Sequence, residues 1–231
     1  MKLVIENLTK SYGSTLVLND LSFTFEEGRM YGLLGRNGSG KTTFFNCIDS
    51  LIDYEQGSAY IENDDGSREE LNSHNLGLVL TDPMLPEFLT AYEFIKAFIE
   101  INGITPDRTI GEYFDIIAID EASQHKLIKD YSMGMKHKLQ ILMYLIAKPR
   151  VLLLDEPLTS LDVIVAAEIK QMLKDLREGH VIIFSTHILE LATSLCDEIV
   201  VINNGKLELV DNDIIHTPEF EEKIVEILKG E

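Results

Sequence analysis

Two stretches carry residue types and spacings suited to one chemistry. Gly35-Arg36-Asn37-Gly38-Ser39-Gly40-Lys41-Thr42 fits the pattern G-x-x-x-x-G-K-[S/T] without mismatch. Glycines let a backbone wrap closely around phosphate, and the free N–H groups at a helix start attract anions. Lys41 is positioned to reach the β- and γ-phosphates of a nucleotide, and the Thr42 hydroxyl to complete a Mg²⁺ shell, with Thr43 next along the same turn. The second stretch, Val151-Leu152-Leu153-Leu154-Asp155-Glu156-Pro157, is an apolar run ending in two carboxylates. In P-loop proteins a strand of this kind points an Asp at the metal, a role that Asp155 fits. Glu156, one residue on, is placed to take a proton from an attacking water.

Positioning these groups requires strands that end where the chemistry begins. Met30-Tyr31-Gly32-Leu33-Leu34 is a short apolar run before the glycine-rich loop, and Thr43-Phe44-Phe45-Asn46-Cys47-Ile48 can continue a helix after it. Val181-Ile182-Ile183-Phe184 is a third strand of the buried type, ending near Thr186-His187. Gly35, Asp155 and His187 each follow such a strand, so all three could meet at one edge of a parallel sheet, where ligands of open α/β folds bind.

The remaining elements fall around this frame. Strands are expected over 3–8 and 16–25, with Tyr12 and Gly13 in the turn between them. Tyr12 is either an exposed turn residue or a platform for a base. Further strands are expected over 59–62 and 76–80. Helical periodicity then runs through 88–101, 108–119, 121–130 and 133–147. Ser160-Leu161-Asp162 opens the next helix, with Asp162 as N-cap, and that helix ends near Arg177. Strands at 198–202 and 206–210 flank Asn203-Asn204-Gly205, a hairpin turn signal, and 218–229 reads as an acidic helix.

Composition narrows the class. With 231 residues, 45% of them hydrophobic and 26% charged, the chain can bury a full core. No segment nears the roughly 18 consecutive apolar residues that cross a bilayer. Glu6 follows the start too closely for a signal peptide, so the expected location is the cytoplasm. The net charge of −19 argues against a nucleic-acid partner. Cys47 and Cys196 lie far apart in apolar surroundings, as small buried hydrophobes do.

The order of these elements resembles the nucleotide-binding subunit of ABC transporters, over about residues 3–210. The motifs stand in family order: the P-loop; Tyr131-Ser132-Met133-Gly134-Met135-Lys136 as the signature; residues 151–157; Ser160-Leu161-Asp162; and Thr186-His187. The resemblance implies a P-loop NTPase core with a mostly parallel sheet, an N-terminal antiparallel β-subdomain and an inserted α-helical subdomain. It implies one ATPase domain over 1–231, with β-subdomain and core at 1–83 and 148–211, helical signature subdomain at 84–147 and a helical tail at 212–231. Tyr12 matches the adenine-stacking aromatic. Glu156, His187 and Lys41 take the catalytic positions. Gly35, Asn37, Gly38, Ser39, Gly40, Lys41, Thr42 and Thr43 surround ATP, and Ser132, Gly134 and Asp162 act at a dimer interface.

The sequence departs from the family twice. The signature is usually Leu-Ser-Gly-Gly-Gln; a tyrosine-led, glycine-poor form is found in ATPase subunits of ABC-2 type exporters. The strand before the helical lobe ends in the family with a glutamine that ligates Mg²⁺, and here the aligned position is Thr81. Its shorter hydroxyl predicts weaker metal coupling or slower turnover, with Thr42, Asp155 and Thr81 as the metal set. The implied partners are a separate membrane permease, met through a groove near Thr81 and residues 82–98, and a second ATPase subunit in a head-to-tail dimer. The apolar residues of 82–98 are expected to belong mostly to the lobe's own core. The alternative functions are a soluble ABC-type ATPase or an ATP-dependent interaction switch without a transport role.

Overall fold

Alternating polar and apolar residues near the start of the chain form two long strands, β1 (Lys2–Tyr12) and β2 (Thr15–Glu26). The structure is a computed structural model and describes residues 1–158, 163–211, 215, 217 and 220–229. β3 (Arg29–Leu34) precedes the glycine-rich loop and α1 (Lys41–Ile48) follows it. Then come β4 (Gln56–Glu62), β5 (Arg68–Glu70) and β6 (Leu76–Val79). A helical stretch holds α2 (Ala91–Ile101), α3 (Ile110–Ile116), α4 (Glu121–Gln124), a 3-10 turn (Ile128–Asp130) and α5 (Met133–Ala147). After it run β7 (Val151–Asp155), α6 (Val163–Leu176), β8 (Val181–Thr186) and α7 (Leu189–Leu195). The last described elements are β9 (Glu198–Asn203), β10 (Lys206–Leu209) and α8 (Phe220–Lys229).

These elements divide into two compact units. The first comprises Met1–Leu78, Arg150–Glu156 and Arg177–Glu231. It holds a four-stranded sheet in the order β2-β1-β4-β5, antiparallel at every pairing, and a six-stranded sheet in the order β10-β9-β3-β8-β7-β6. In the larger sheet β3 pairs in parallel with both β8 and β9, and β7 pairs in parallel with β8. Every residue of β7 and β8 is buried, which is why both read as continuous apolar runs as far as Asp155 and Ser185 rather than alternating ones. Register then fixes the site: Leu34 stands opposite Thr186, and Asp155 opposite Ser185. The C-terminal ends of β3, β7 and β8 therefore line one edge.

Aromatic packing seats the helix behind the glycine-rich loop. Phe44 and Phe45 of α1 are fully buried, and Phe44 lies with its ring centroid 6.4 Å from that of Phe25. Phe25 in turn meets Tyr31 edge-on at 5.0 Å. Pairs of this kind contribute about 0.5–1.5 kcal/mol beyond their buried area. They anchor the first turn of α1, and with it Lys41 and Thr42, against the sheet.

The second unit comprises Val79–Pro149 and Pro157–Leu176. Two of its helices start at reciprocal caps: Thr90 with Glu93 opens α2, and Thr109 with Glu112 opens α3. These caps place the starts two or three residues later than hydrophobic periodicity suggests. The expected helix over 121–130 divides into α4 and the 3-10 turn, while α5 occupies the expected 133–147. Tyr131 is buried and donates its hydroxyl to the Ser123 carbonyl at 2.9 Å, and Lys138 of α5 pairs with Glu168 of α6. One expectation is corrected here. Phe88 is 79% exposed and Met84 82%, so these side chains lie outside the core to which the apolar residues of 82–98 were expected mostly to belong; within that segment Ala91 and Ile95 are buried.

Candidate functional site

The glycine-rich loop closes back on the end of β3. A Cβ added to Gly35 would fall 2.3 Å from Ser39 Oγ and 2.6 Å from Ile202 Cγ2, so no larger residue fits the turn. The Ser39 amide donates to the Arg36 carbonyl at 3.0 Å, tightening the loop. Gly40 caps α1 in a left-handed conformation and offers no side-chain acceptor to the first helical amides. Lys41 is buried, with Nζ donating to the Gly35 carbonyl at 2.8 Å and to that of Arg36 at 3.4 Å. Its ammonium is thus held inside the loop that it would serve.

Four side chains from distant parts of the chain converge on this loop. The Thr42 hydroxyl donates to Asp155 Oδ2 at 2.7 Å. Ser185 donates to the other oxygen, Asp155 Oδ1, at 2.6 Å, and accepts the Glu156 amide at 3.0 Å. Glu156 has φ +50°, the left-handed region that a side chain rarely adopts. Its carboxylate lies 3.7 Å from Lys41 Nζ through Oε1 and 2.7 Å from His187 Nδ1 through Oε2. The Asp155-Glu156 pair thereby faces two ways, one carboxylate toward Thr42 and the other between a lysine and a histidine.

A cleft of about 400 Å³ opens beside these groups, lined by Tyr12, Val17, Asn37, Gly38, the Gly40–Thr43 turn and Glu156. Tyr12, at the end of β1, is 52% exposed, with Lys10 Nζ 5.3 Å from its ring centroid. The cleft suits a nucleotide. Gly38 has φ +81° and open space where a Cβ would stand, so phosphate oxygens can approach its backbone. The Ser39 hydroxyl is buried without a hydrogen-bond partner among the described residues, which leaves a donor inside the loop. Thr42 and Asp155 supply hard oxygen ligands, the kind Mg²⁺ takes when phosphates and waters fill its remaining positions.

The other sequence-derived candidates lie in the second unit or outside the described residues. Ser132 caps α5, its Oγ accepting the Met135 amide at 3.3 Å, and Gly134 lies in the first turn of that helix. The Thr81 carbonyl stands 3.0 Å from Nε2 of buried His137, whose Nδ1 is 3.2 Å from the Met133 carbonyl. Burial holds His137 below the ordinary histidine range, outweighing the two carbonyls and the Asp82 charge. Asp162 falls outside the described residues. Sequence reasoning passed over Ser185 and His137. The first had a visible signal, a hydroxyl in an otherwise apolar strand, but its partner depends on strand register.

Comparison with known proteins agrees with this geometry. The family profile described as ABC transporter matches residues 18–159. The chain is 33% identical over 208 residues to the lantibiotic transport ATP-binding protein SrtF of Streptococcus pyogenes, covering 90% of this chain and 89% of that protein. A solved ATP-binding subunit of an ABC transporter shares the fold with a TM-score of 0.85 at 24% identity, covering 98% of this chain and 99% of that one. A second, an ATP-binding cassette solved as a dimer in a post-hydrolysis state with ADP and Pi, shares it with a TM-score of 0.75 at 23% identity, over 91% and 99%. This chain belongs to the ABC transporter family, as an ATP-binding ATPase domain of the P-loop class.

Proposed function

We propose that the chain hydrolyses ATP on the cytoplasmic side of a membrane and drives export through a separate membrane permease. The observation that carries this reading is the convergence of Lys41, Thr42, Asp155, Glu156 and His187 at one sheet edge beside the Tyr12 cleft. Family membership supplies the transport context, and the similarity to a lantibiotic transport subunit supports export.

Each side chain has a task in phosphoryl transfer. That reaction needs charge neutralisation and an in-line water more than covalent chemistry. Tyr12 stacks on adenine, and the backbone of 35–43 cradles the phosphates. Lys41 leaves the Gly35 and Arg36 carbonyls for the phosphate oxygens. Thr42 and Asp155 would hold Mg²⁺, which when bound would supply charge neutralisation for the transferring phosphate. Glu156 accepts the proton of the attacking water, and His187 fixes that carboxylate and contacts the γ-phosphate. Thr81 stands at the family's metal-ligating position with a shorter side chain.

Two chains pair head to tail, with ATP between one P-loop and the partner's Ser132 and Gly134, while Asp162 links the sites across the interface. Nucleotide then acts as a removable clamp, a two-state element that a permease can read. No helix among the described residues is long and apolar enough to cross a membrane. Met84 and Phe88, exposed in the segment that follows Thr81 in sequence, offer a permease an apolar surface. Photo-crosslinkers placed at Met84 and Phe88 in the producing cell test this reading. Adducts to a polytopic membrane protein are expected; adducts to soluble proteins alone would contradict it.

A further inference from the structure

We propose that Ser185 is a positioning residue, whose single hydroxyl sets both the metal-facing carboxylate of Asp155 and the backbone of the base Glu156. The proposal rests on the reading of Asp155 and Glu156 given above. Ser185 follows the run Val181-Ile182-Ile183-Phe184 near the end of β8, where it has no exposure to solvent. A hydroxyl carries one proton and two lone pairs. The proton goes to Asp155 Oδ1 at 2.6 Å, and a lone pair receives the Glu156 amide at 3.0 Å. Parallel register makes this possible, because Ser185 stands directly opposite Asp155.

The two bonds do different things. A hydroxyl bonded to an ionised carboxylate is among the stronger hydrogen bonds, and it prevents the Asp155 side chain from turning about its last torsion. With Oδ1 held, Oδ2 remains toward Thr42, the edge where metal would bind. The second bond meets the Glu156 amide, and so supports a left-handed backbone at φ +50° that a side-chain-bearing residue does not adopt cheaply. That conformation aims the Glu156 carboxylate between Lys41 and His187. One buried oxygen therefore ties the metal side of the site to its water side, and neither strand alone could do so.

The test uses the isosteric pair Ser185→Thr and Ser185→Val, with Asp155→Asn as reference. ATP affinity is measured by calorimetry with EDTA and again with Mg²⁺, and turnover is measured alongside. The threonine variant keeps the hydroxyl; the valine variant has the same shape without it. The expected result is unchanged metal-free affinity in both, with the gain on adding Mg²⁺ falling about 10–100-fold in valine and largely kept in threonine. Equal loss in both variants would assign Ser185 to packing and overturn the proposal, as would a wild-type Mg²⁺ gain in valine. If Asp155→Asn also keeps the full Mg²⁺ gain, the metal reading of the site fails with it; if only Ser185→Val does, that reading stands and the positioning role falls.

Discussion

Thr42 and Asp155 stand 113 positions apart in the chain, yet the threonine hydroxyl donates to the aspartate Oδ2 across 2.7 Å. One residue lies in the first turn of a helix and the other ends a strand, so the contact exists only because β3, β8 and β7 lie side by side with their ends in register. The pair of oxygens is the right chemistry for a hard divalent ion.

Replacing Thr42 by valine keeps its shape and removes that oxygen. The Mg²⁺ concentration giving half-maximal ATP turnover is expected to rise by about tenfold or more, on the scale of a lost charge-assisted hydrogen bond. Melting temperature is expected to change little, because Thr42 is exposed. A titration of turnover against Mg²⁺, with ATP held saturating, checks this.

Thr81 offers the reverse experiment. Its contact with His137 runs through the carbonyl rather than the side chain, so Thr81→Gln leaves the 3.0 Å approach to Nε2 available. Restoring the longer amide is expected to tighten Mg²⁺ or raise turnover severalfold. Unchanged values of both would mean that this position has no metal-linked role in the chain.

The cysteines give a check on burial. Cys47 is buried and Cys196 partly buried; desolvation pushes the Cys47 thiol up to about 11 and that of Cys196 up to about 12. A raised thiol value means that the folded chain keeps its proton where the unfolded chain would lose it. Burial thus favours the fold up to the unfolded value near 9, and that contribution falls as pH climbs toward the folded values. At pH 8 both thiols are expected to resist a thiolate-seeking reagent in the native protein and to react on unfolding. Fast modification of either in the native state would contradict the packing of α1 or of the α7–β9 junction.

Much of this arrangement was legible in the sequence because it is written in local signals. The glycine-rich loop, the apolar runs ending at Asp155 and near His187, and the start of α5 at Ser132 need only neighbours in sequence to be seen. The caps Thr90 with Glu93 and Thr109 with Glu112 were equally local, and they rather than the apolar period set where α2 and α3 begin. Pairings were not legible. That Ser185 would stand opposite Asp155, or that Tyr131 would reach the Ser123 carbonyl, depends on register and packing that composition does not encode. The exposure of Phe88 belongs to the same class, because a single apolar residue carries no mark of which side it faces.

The most direct measurement is ATP turnover by the purified chain as a function of protein concentration, with Glu156→Gln beside it and ATP affinity measured for both. Glutamine keeps the side-chain length while removing the group that accepts a proton. Wild-type turnover is expected to rise faster than linearly with concentration, as two chains complete each other's sites. The variant is expected to bind ATP with similar affinity and to lose turnover by about a hundredfold or more, within the 10²–10⁴ range of general-base catalysis. A variant that hydrolyses ATP at the wild-type rate would remove Glu156 from the chemistry and contradict the site as described.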